Sequence, residues 1–206
     1  MRQITIVIFA VILFFLSSCM PYDSKKYVEE ILKDDILEQA AMNLQESPVT
    51  ITSFIAERSV GDCHDFYSEG DYWWPNPLDL EGPYVRRDGQ TNPENFVAHR
   101  QAMIRFSSIV GNLTSAYLLT KDNRYVENVM EHVRAWVVNE QTFMRPKLQY
   151  AQAIKGITTG RGIGIIDTVH LMEVAQSLYR LEIVGALSKK DLEDTKKWFS
   201  DYLKWM

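Results

Sequence analysis

Six residues, Phe96, Met103, Phe106, Val110, Leu113 and Tyr117, follow one another at intervals of seven, three, four, three and four. A helix turns that spacing into one continuous apolar stripe. The stripe stops at "TKDN", residues 120–123, and Tyr125, Val129, Val133 and Trp136 then resume at fours and a three. Two amphipathic stripes with so short a break bury each other by folding back, so an antiparallel helical hairpin is expected. Further helices are expected over about 24–44 and 165–181. The last opens at Ser188, with Asp191 three residues on as an acidic variant of the capping box, and its stripe is Leu192, Thr195, Phe199, Tyr202 and Met206. No glycine, asparagine or proline stops that stripe, which reads as a helix cut within a larger fold. The expected class is all-α.

Residues 4–16 form an apolar run behind Arg2, followed by Ser17-Ser18-Cys19. That is the charge, length and small-residue exit of a secretory signal, and the run is too short to span a bilayer comfortably. Leu-Ser-Ser-Cys resembles the bacterial lipoprotein signal, which implies a signal peptide over 1–18, lipidation of Cys19 and a tether over 19–26. The only membrane contact is then the lipid at Cys19, in the periplasm or at the outer membrane. Cys63 would be the one thiol left, so no intrachain disulfide is available and the core alone must hold the fold. With 46% hydrophobic and 12% aromatic residues, residues 27–206 suffice for one packed helical domain.

A formal charge of −5, or −6 once Arg2 is removed, gives no reason to expect a nucleic-acid partner. Residues 82–161 nevertheless hold eleven Lys and Arg against six Asp and Glu. That surplus is either a solvated helical face or a local cationic groove.

Two long stretches, 50–92 and 140–164, show no helical pattern, and loops of that length in a compact helical domain are usually functional. The first contains "HDFYSEGDYWWPNP", residues 64–77, which fits neither a helix nor a strand. Trp73 and Trp74, flanked by Asp71, Tyr72 and Pro75, read as an aromatic face for a sugar, or else as plugs for the mouth of a helical bundle. The second contains "GRGIG", residues 160–164, with no strand expected before it. It lacks the spacing of a nucleotide fingerprint. Arg161 beside a helix N-terminus near Ile165 suits an anion such as a carboxylate, or else pairs with Asp167 or Glu173. His64 among Asp62, Cys63 and Asp65 has no second ligand group, so neither metal nor cofactor is expected. His99, His132 and His170 fall on helices and read as surface or core-edge residues. No nucleophile elbow is visible.

"HDFYSEGDYWWPNP", "GPYVRRDGQTNPENF" (82–96) and "LQYAQAIKG" followed by "TTGRGIGIIDT" (148–156 and 158–168) resemble the alginate-lyase domain family of bacterial polysaccharide lyases. The resemblance runs from about Tyr27 to the end. It implies an incomplete (α/α) toroid of antiparallel helical hairpins with long functional loops, and β-elimination on an anionic polysaccharide of uronic acids. It also implies that Tyr72, Trp73, Trp74, Arg86, Gln152 and Arg161 contact substrate, with Arg161, Gln152 and Arg86 suited to neutralise its carboxylate. Members of the family take base and neutraliser from an Asn-His pair and the acid from a tyrosine on later helices. No Asn-His dipeptide occurs here, so the catalytic residues are expected beyond Met206. Two other classes stay open: a non-catalytic glycan-binding helical lipoprotein, and a glycoside hydrolase on the same toroid. The hydrolase would draw its two opposed carboxylates from Asp65, Glu69 and Asp71.

Overall fold

The computed structural model describes residues 24–206. The signal peptide over 1–18 and the lipidation at Cys19 lie outside the described residues. The chain divides into two compact units, 1–35 and 36–206. What is described of the first is the opening of helix α1 (Ser24–Asn43), where Ile31 and Leu32 are exposed. All that follows concerns the second unit.

Helix α2 (Ala98–Thr120) and helix α3 (Asn123–Val137) are the hairpin that the two stripes require. Met103, Phe106, Val110, Leu113 and Tyr117 on one helix and Tyr125, Val129, Val133 and Trp136 on the other are all buried, whereas Phe96, expected to open the first stripe, precedes α2 and is half-buried. The "TKDN" break works through two residues. Lys121 ends α2 in the left-handed conformation at φ 60°, and Asp122 caps α3 by accepting from the Arg124 N–H at 3.0 Å. Trp136 stacks on Phe106 at 4.8 Å between ring centres and donates its indole N–H to Val49 O at 3.1 Å, so the largest core side chain leaves no polar atom unpaired. Truncating it should cost about 3–5 kcal/mol.

The second hairpin is α4 (Leu171–Ile183) and α5 (Lys189–Trp205). Helix α2 packs on α3 and α4, and α3 packs on α5, so like members of the two hairpins lie side by side in an (α/α) arrangement. Arg134 of α3 holds Asp191 of α5 through two bonds of 2.7 Å. Ser188 is the N-cap of α5 as expected, but its box is altered. The Asp191 carboxylate accepts from the Ser188 hydroxyl and from Arg134 instead of reaching back to the cap N–H.

Three expectations are corrected here. The helix expected over 165–181 begins as a separate 3-10 segment, Gly162–Thr168, and α4 starts only at Leu171. The stripe of α5 runs through Thr195, Trp198 and Tyr202, with Phe199 half-buried and Met206 exposed. His99 and His132 are core residues, 2% and 1% exposed, rather than surface or core-edge ones.

The long stretches are not free of strands either. Strand β1 (Tyr67–Glu69) runs parallel to β4 (Tyr150–Ala153), and β2 (Trp73–Trp74) runs antiparallel to β3 (Val85–Arg86). So "HDFYSEGDYWWPNP" holds two short strands, and β4 does precede "GRGIG". These ribbons leave the class all-α. They ride on the helices through β1 and the 3-10 segment, both of which rest on α2. Along α4 and α5 a groove of about 340 Å³ is lined by Leu178, Tyr179, Phe199 and Leu203. Among the described residues no helix is long and apolar enough to cross a membrane.

Candidate functional site

Strand β1 presents alternate residues to opposite sides. On one side Glu69, 6% exposed, accepts two bonds of 2.6 Å from Arg58, one of 2.8 Å from the Tyr67 hydroxyl and one of 2.8 Å from the Phe96 N–H. Burial, and then the Glu69 carboxylate that its hydroxyl serves, push the Tyr67 phenol up, so it stays protonated at neutral pH. His99 supports the root of this strand. Its Nδ1 accepts from the Tyr67 N–H at 3.0 Å, which fixes the neutral tautomer, and burial holds its pKa down at about 4. The Ile51 and Phe54 backbone offsets part of that shift, although Nε2 finds no partner of hydrogen-bonding geometry.

On the other side lies Ser68. Strand β4 matches two steps of β1 with three of its own, Tyr67 facing Tyr150 and Glu69 facing Ala153. Within this bulge Gln152 stands at φ 58°. A non-glycine residue in that region costs about 1–3 kcal/mol, so something must hold it there. Its N–H donates to Ser68 Oγ at 2.8 Å, its Nε2 to both oxygens of Asp167 at 3.2 Å, and its carbonyl O and Oε1 accept from Arg161 Nε and Nη2 at 2.8 and 2.9 Å. Ser68 Oγ also donates to Asp167.

Arg161 reaches this position because the chain on either side of it lies flat against residues 149–151. A Cβ at Gly160 would overlap Gln149 O, and one at Gly164 would stand 2.5 Å from Ala151 Cβ. That close approach, not a phosphate-binding turn, is what Gly160 and Gly164 of "GRGIG" serve, while a Cβ at Gly162 would meet nothing. The 3-10 segment that follows has seven residues and no side-chain cap. Arg161 pairs with neither Asp167 nor Glu173. Asp167 is occupied by Ser68, Gln152 and, at 3.3 Å, by Arg100 Nε, an ion pair without hydrogen-bond alignment.

Trp73 and Arg161 come together over Gly70, where an added Cβ would stand 2.6 Å from Trp73 Cδ1 and 2.9 Å from Arg161 Nη2. Arg86 pairs across from Trp73 and so shares its side of the β2/β3 ribbon, but it is exposed and tied to Asp88 at 2.8 Å. Trp74 belongs to the other side with Val85. Its indole N–H donates to Gln90 O at 2.8 Å, and the Arg87 guanidinium lies 5.0 Å from its ring centre. The tryptophans are half-buried and back to back, neither one platform nor a pair of plugs. Tyr72 is exposed, and its carbonyl accepts from the Arg87 N–H at 2.8 Å. The structure thus gathers Trp73, Gln152 and Arg161, with Arg86 at the rim, and sets Tyr72 and Trp74 apart with Arg87.

Ser68 and Arg100 are the site residues that sequence reasoning missed, and Asp167, considered only as a partner of Arg161, holds Gln152 instead. Arg100 joins Asp71 at 3.0 Å to Asp167, tying the tryptophan segment to the bed under Gln152. The cationic surplus over 82–161 is mostly cancelled. Eight of its eleven cations pair with a carboxylate, and Arg87, Lys121 and Arg161 do not among the described residues. Asp65, Glu69 and Asp71, the carboxylates open to a hydrolase, are each held by an arginine. No group of three or more His, Cys, Asp or Glu among the described residues is placed to hold a metal ion.

The family model for alginate lyase matches residues 50–206. A crystal structure of an alginate lyase from Bacteroides ovatus superposes with a TM-score of 0.75 at 32% sequence identity, over 84% of this chain and 46% of that one. No curated protein matches the chain. The chain belongs to the alginate lyase family, and it spans about half the length of the solved lyase it matches.

Proposed function

We propose that the full-length protein is a polysaccharide lyase that cleaves a uronic-acid polymer by β-elimination, and that the free edge of Arg161, beside Trp73, receives a substrate carboxylate. One observation carries the reading. Arg161 keeps its charge, because an amide rather than a carboxylate holds it, and it does so beside a half-buried indole. The proton on carbon 5 of a uronate is only mildly acidic while the neighbouring carboxylate is fully charged. Donors already aimed at that carboxylate stabilise the aci-carboxylate that forms when the proton leaves. Arg161 spends its Nε and one Nη2 hydrogen on Gln152, and a planar fork with its remaining donors suits two carboxylate oxygens.

Trp73 supplies an apolar ring for the sugar C–H face, and Arg86 an outer contact. Gln152, whose amide is used at both ends by the protein, holds Arg161 rather than touching substrate. Tyr72, Trp74 and Arg87 offer a second contact where the polymer continues past the ribbon. Base and acid are assigned to no described residue. They belong, in this proposal, to the part of the full-length protein that corresponds to the rest of the solved lyase. The Cys19 anchor belongs to the same proposal, and Cys19→Ala should move the protein from the membrane fraction to the soluble one.

Elimination leaves a double bond conjugated to the carboxylate, whereas hydrolysis leaves no chromophore. The full-length protein should raise near-ultraviolet absorbance on at least one polyuronate and on no neutral glucan. New reducing ends without absorbance would mean a hydrolase, and binding with neither signal a glycan-binding protein.

A further inference from the structure

We propose that Asp167 is a positioning residue for this carboxylate site, one that acts only through Gln152 and Arg161. The inference rests on the reading of Arg161 given above. Asp167 is 5% exposed, and every group around its carboxylate is a donor: the Ser68 hydroxyl, the Gln152 amide and the Arg100 guanidinium. It is too buried to meet a polymer itself.

Its effect comes from the two ends of an amide. Arg161 can only donate and an ionised carboxylate can only accept, so one orientation of the Gln152 amide satisfies both. Nε2 must face Asp167 and Oε1 must face Arg161, as the bonds of 3.2 and 2.9 Å show. Turned over, the amide would set NH₂ against guanidinium and oxygen against carboxylate in a place with little water, and both contacts would repel. Asp167 therefore gives the chain Arg161 to Gln152 to Asp167 a direction. Arg161 is gripped along one edge, by Oε1 and by the carbonyl that the left-handed backbone of Gln152 turns toward it. A carboxylate at position 152 would grip as well but would cancel the charge. An amide oriented by a remote carboxylate holds Arg161 and leaves its charge for the ligand. Arg100 completes the arrangement, because its other nitrogens hold Asp71 and so fix Asp167 relative to the segment that bears Trp73.

The test is a double-mutant cycle in the full-length protein, with a short polyuronate oligosaccharide as titrant at low salt. Asp167→Asn keeps the size of the side chain and leaves Arg100 paired with Asp71, but an amide at 167 no longer dictates the orientation of Gln152. It should weaken binding about fivefold to twentyfold in the wild-type background and less than about twofold once Arg161 is alanine. Gln152→Met, which removes both ends of the amide, should behave the same way and serves if Asp167→Asn does not fold. Equal weakening in both backgrounds, or none in either, overturns the inference while leaving the lyase reading intact. A wild-type protein that neither binds the oligosaccharide nor yields an absorbing product removes that reading and the inference with it.

Discussion

The two sides of the β1/β4 ribbon each hold an arginine, and the two meet opposite fates. Arg58 meets Glu69 through two bonds of 2.6 Å, and Tyr67 and the Phe96 N–H fill the rest of that carboxylate. The positive charge is neutralised within the protein, and this side serves the fold. Arg161 meets Gln152 through one side-chain and one main-chain oxygen. Orientation is the same kind of outcome on both sides, but the positive charge survives on only one. The chemistry of the partner, carboxylate or amide, separates an arginine that staples a fold from one left able to hold a ligand.

The largest effect expected from that contrast is on the closed side. Glu69→Ala leaves the Tyr67 hydroxyl and the Phe96 N–H without their buried acceptor and should destabilise the protein by about 3–4 kcal/mol, since breaking a buried pair strands its partners. Oligosaccharide affinity per folded molecule should not change. A denaturant titration and a binding titration on the same variant check both halves.

Next is the pH dependence of the strand that divides the two sides. His99 is neutral in the fold, with a pKa of about 4 because of burial, and an unfolded chain protonates it near 6.5. Protons are then taken up by the unfolded chain first as pH falls. Stability should be full above pH 6.5 and decline by roughly 3 kcal/mol on the way down to pH 4. Burial lowers the His132 pKa too, so His99→Asn should flatten the slope of urea stability against pH without abolishing it.

On the open side, Arg161→Ala should cost about 2–3 kcal/mol of binding, the worth of a charge-assisted bidentate contact, and should lower the melting temperature by less than Glu69→Ala does, since Gln152 loses its bonds to Arg161 but keeps those to Ser68 and Asp167. Arg161→Lys should keep part of the affinity and show steeper salt sensitivity, because a point charge replaces the fork. Smaller still is the difference between the tryptophans. Trp73→Ala should weaken binding by about 1–2 kcal/mol, the scale of an aromatic contact, and Trp74→Ala by less, since Trp74 faces Arg87 and not Arg161. Equal losses would mean that the polymer wraps both sides of the β2/β3 ribbon.

The helices were legible because helical periodicity is local. The stripes of α2 and α3, the Lys121-Asp122 connection and the Ser188 cap can each be read within a few residues. The same rule misplaced the start of α4. Ile165 and Ile166 look like a buried stripe, yet they are exposed while Asp167 and Thr168 are buried, because polar contacts bind that segment, Asp167 to Gln152 of β4 and Thr168 to Tyr202 of α5. Histidines carry no weight in an apolar stripe, so His99 and His132 were not seen as core. The strands are two to four residues long, and β1 finds its partner 83 residues away, so no local pattern announces them. Trp73, Gln152 and Arg161 were legible by chemical type. What joins them was not, since Ser68 meets Asp167 across 99 residues and the amide that joins Asp167 to Arg161 sits on a bulge that exists only once the strands have paired.

That Arg161 is kept charged in order to hold a substrate carboxylate is tested most directly by changing the ligand and the residue together. The affinity of the full-length protein would be measured for a short polyuronate and for its methyl ester, in which the carboxylates are neutral, with Arg161 and with Arg161→Ala. The wild-type protein should prefer the free acid by at least about tenfold, in line with a charge-assisted contact. The alanine variant should bind both forms alike, at the level of the wild-type protein with the ester. If Arg161→Ala instead weakens both forms by the same factor, the guanidinium is not reading the carboxylate and the central assignment fails.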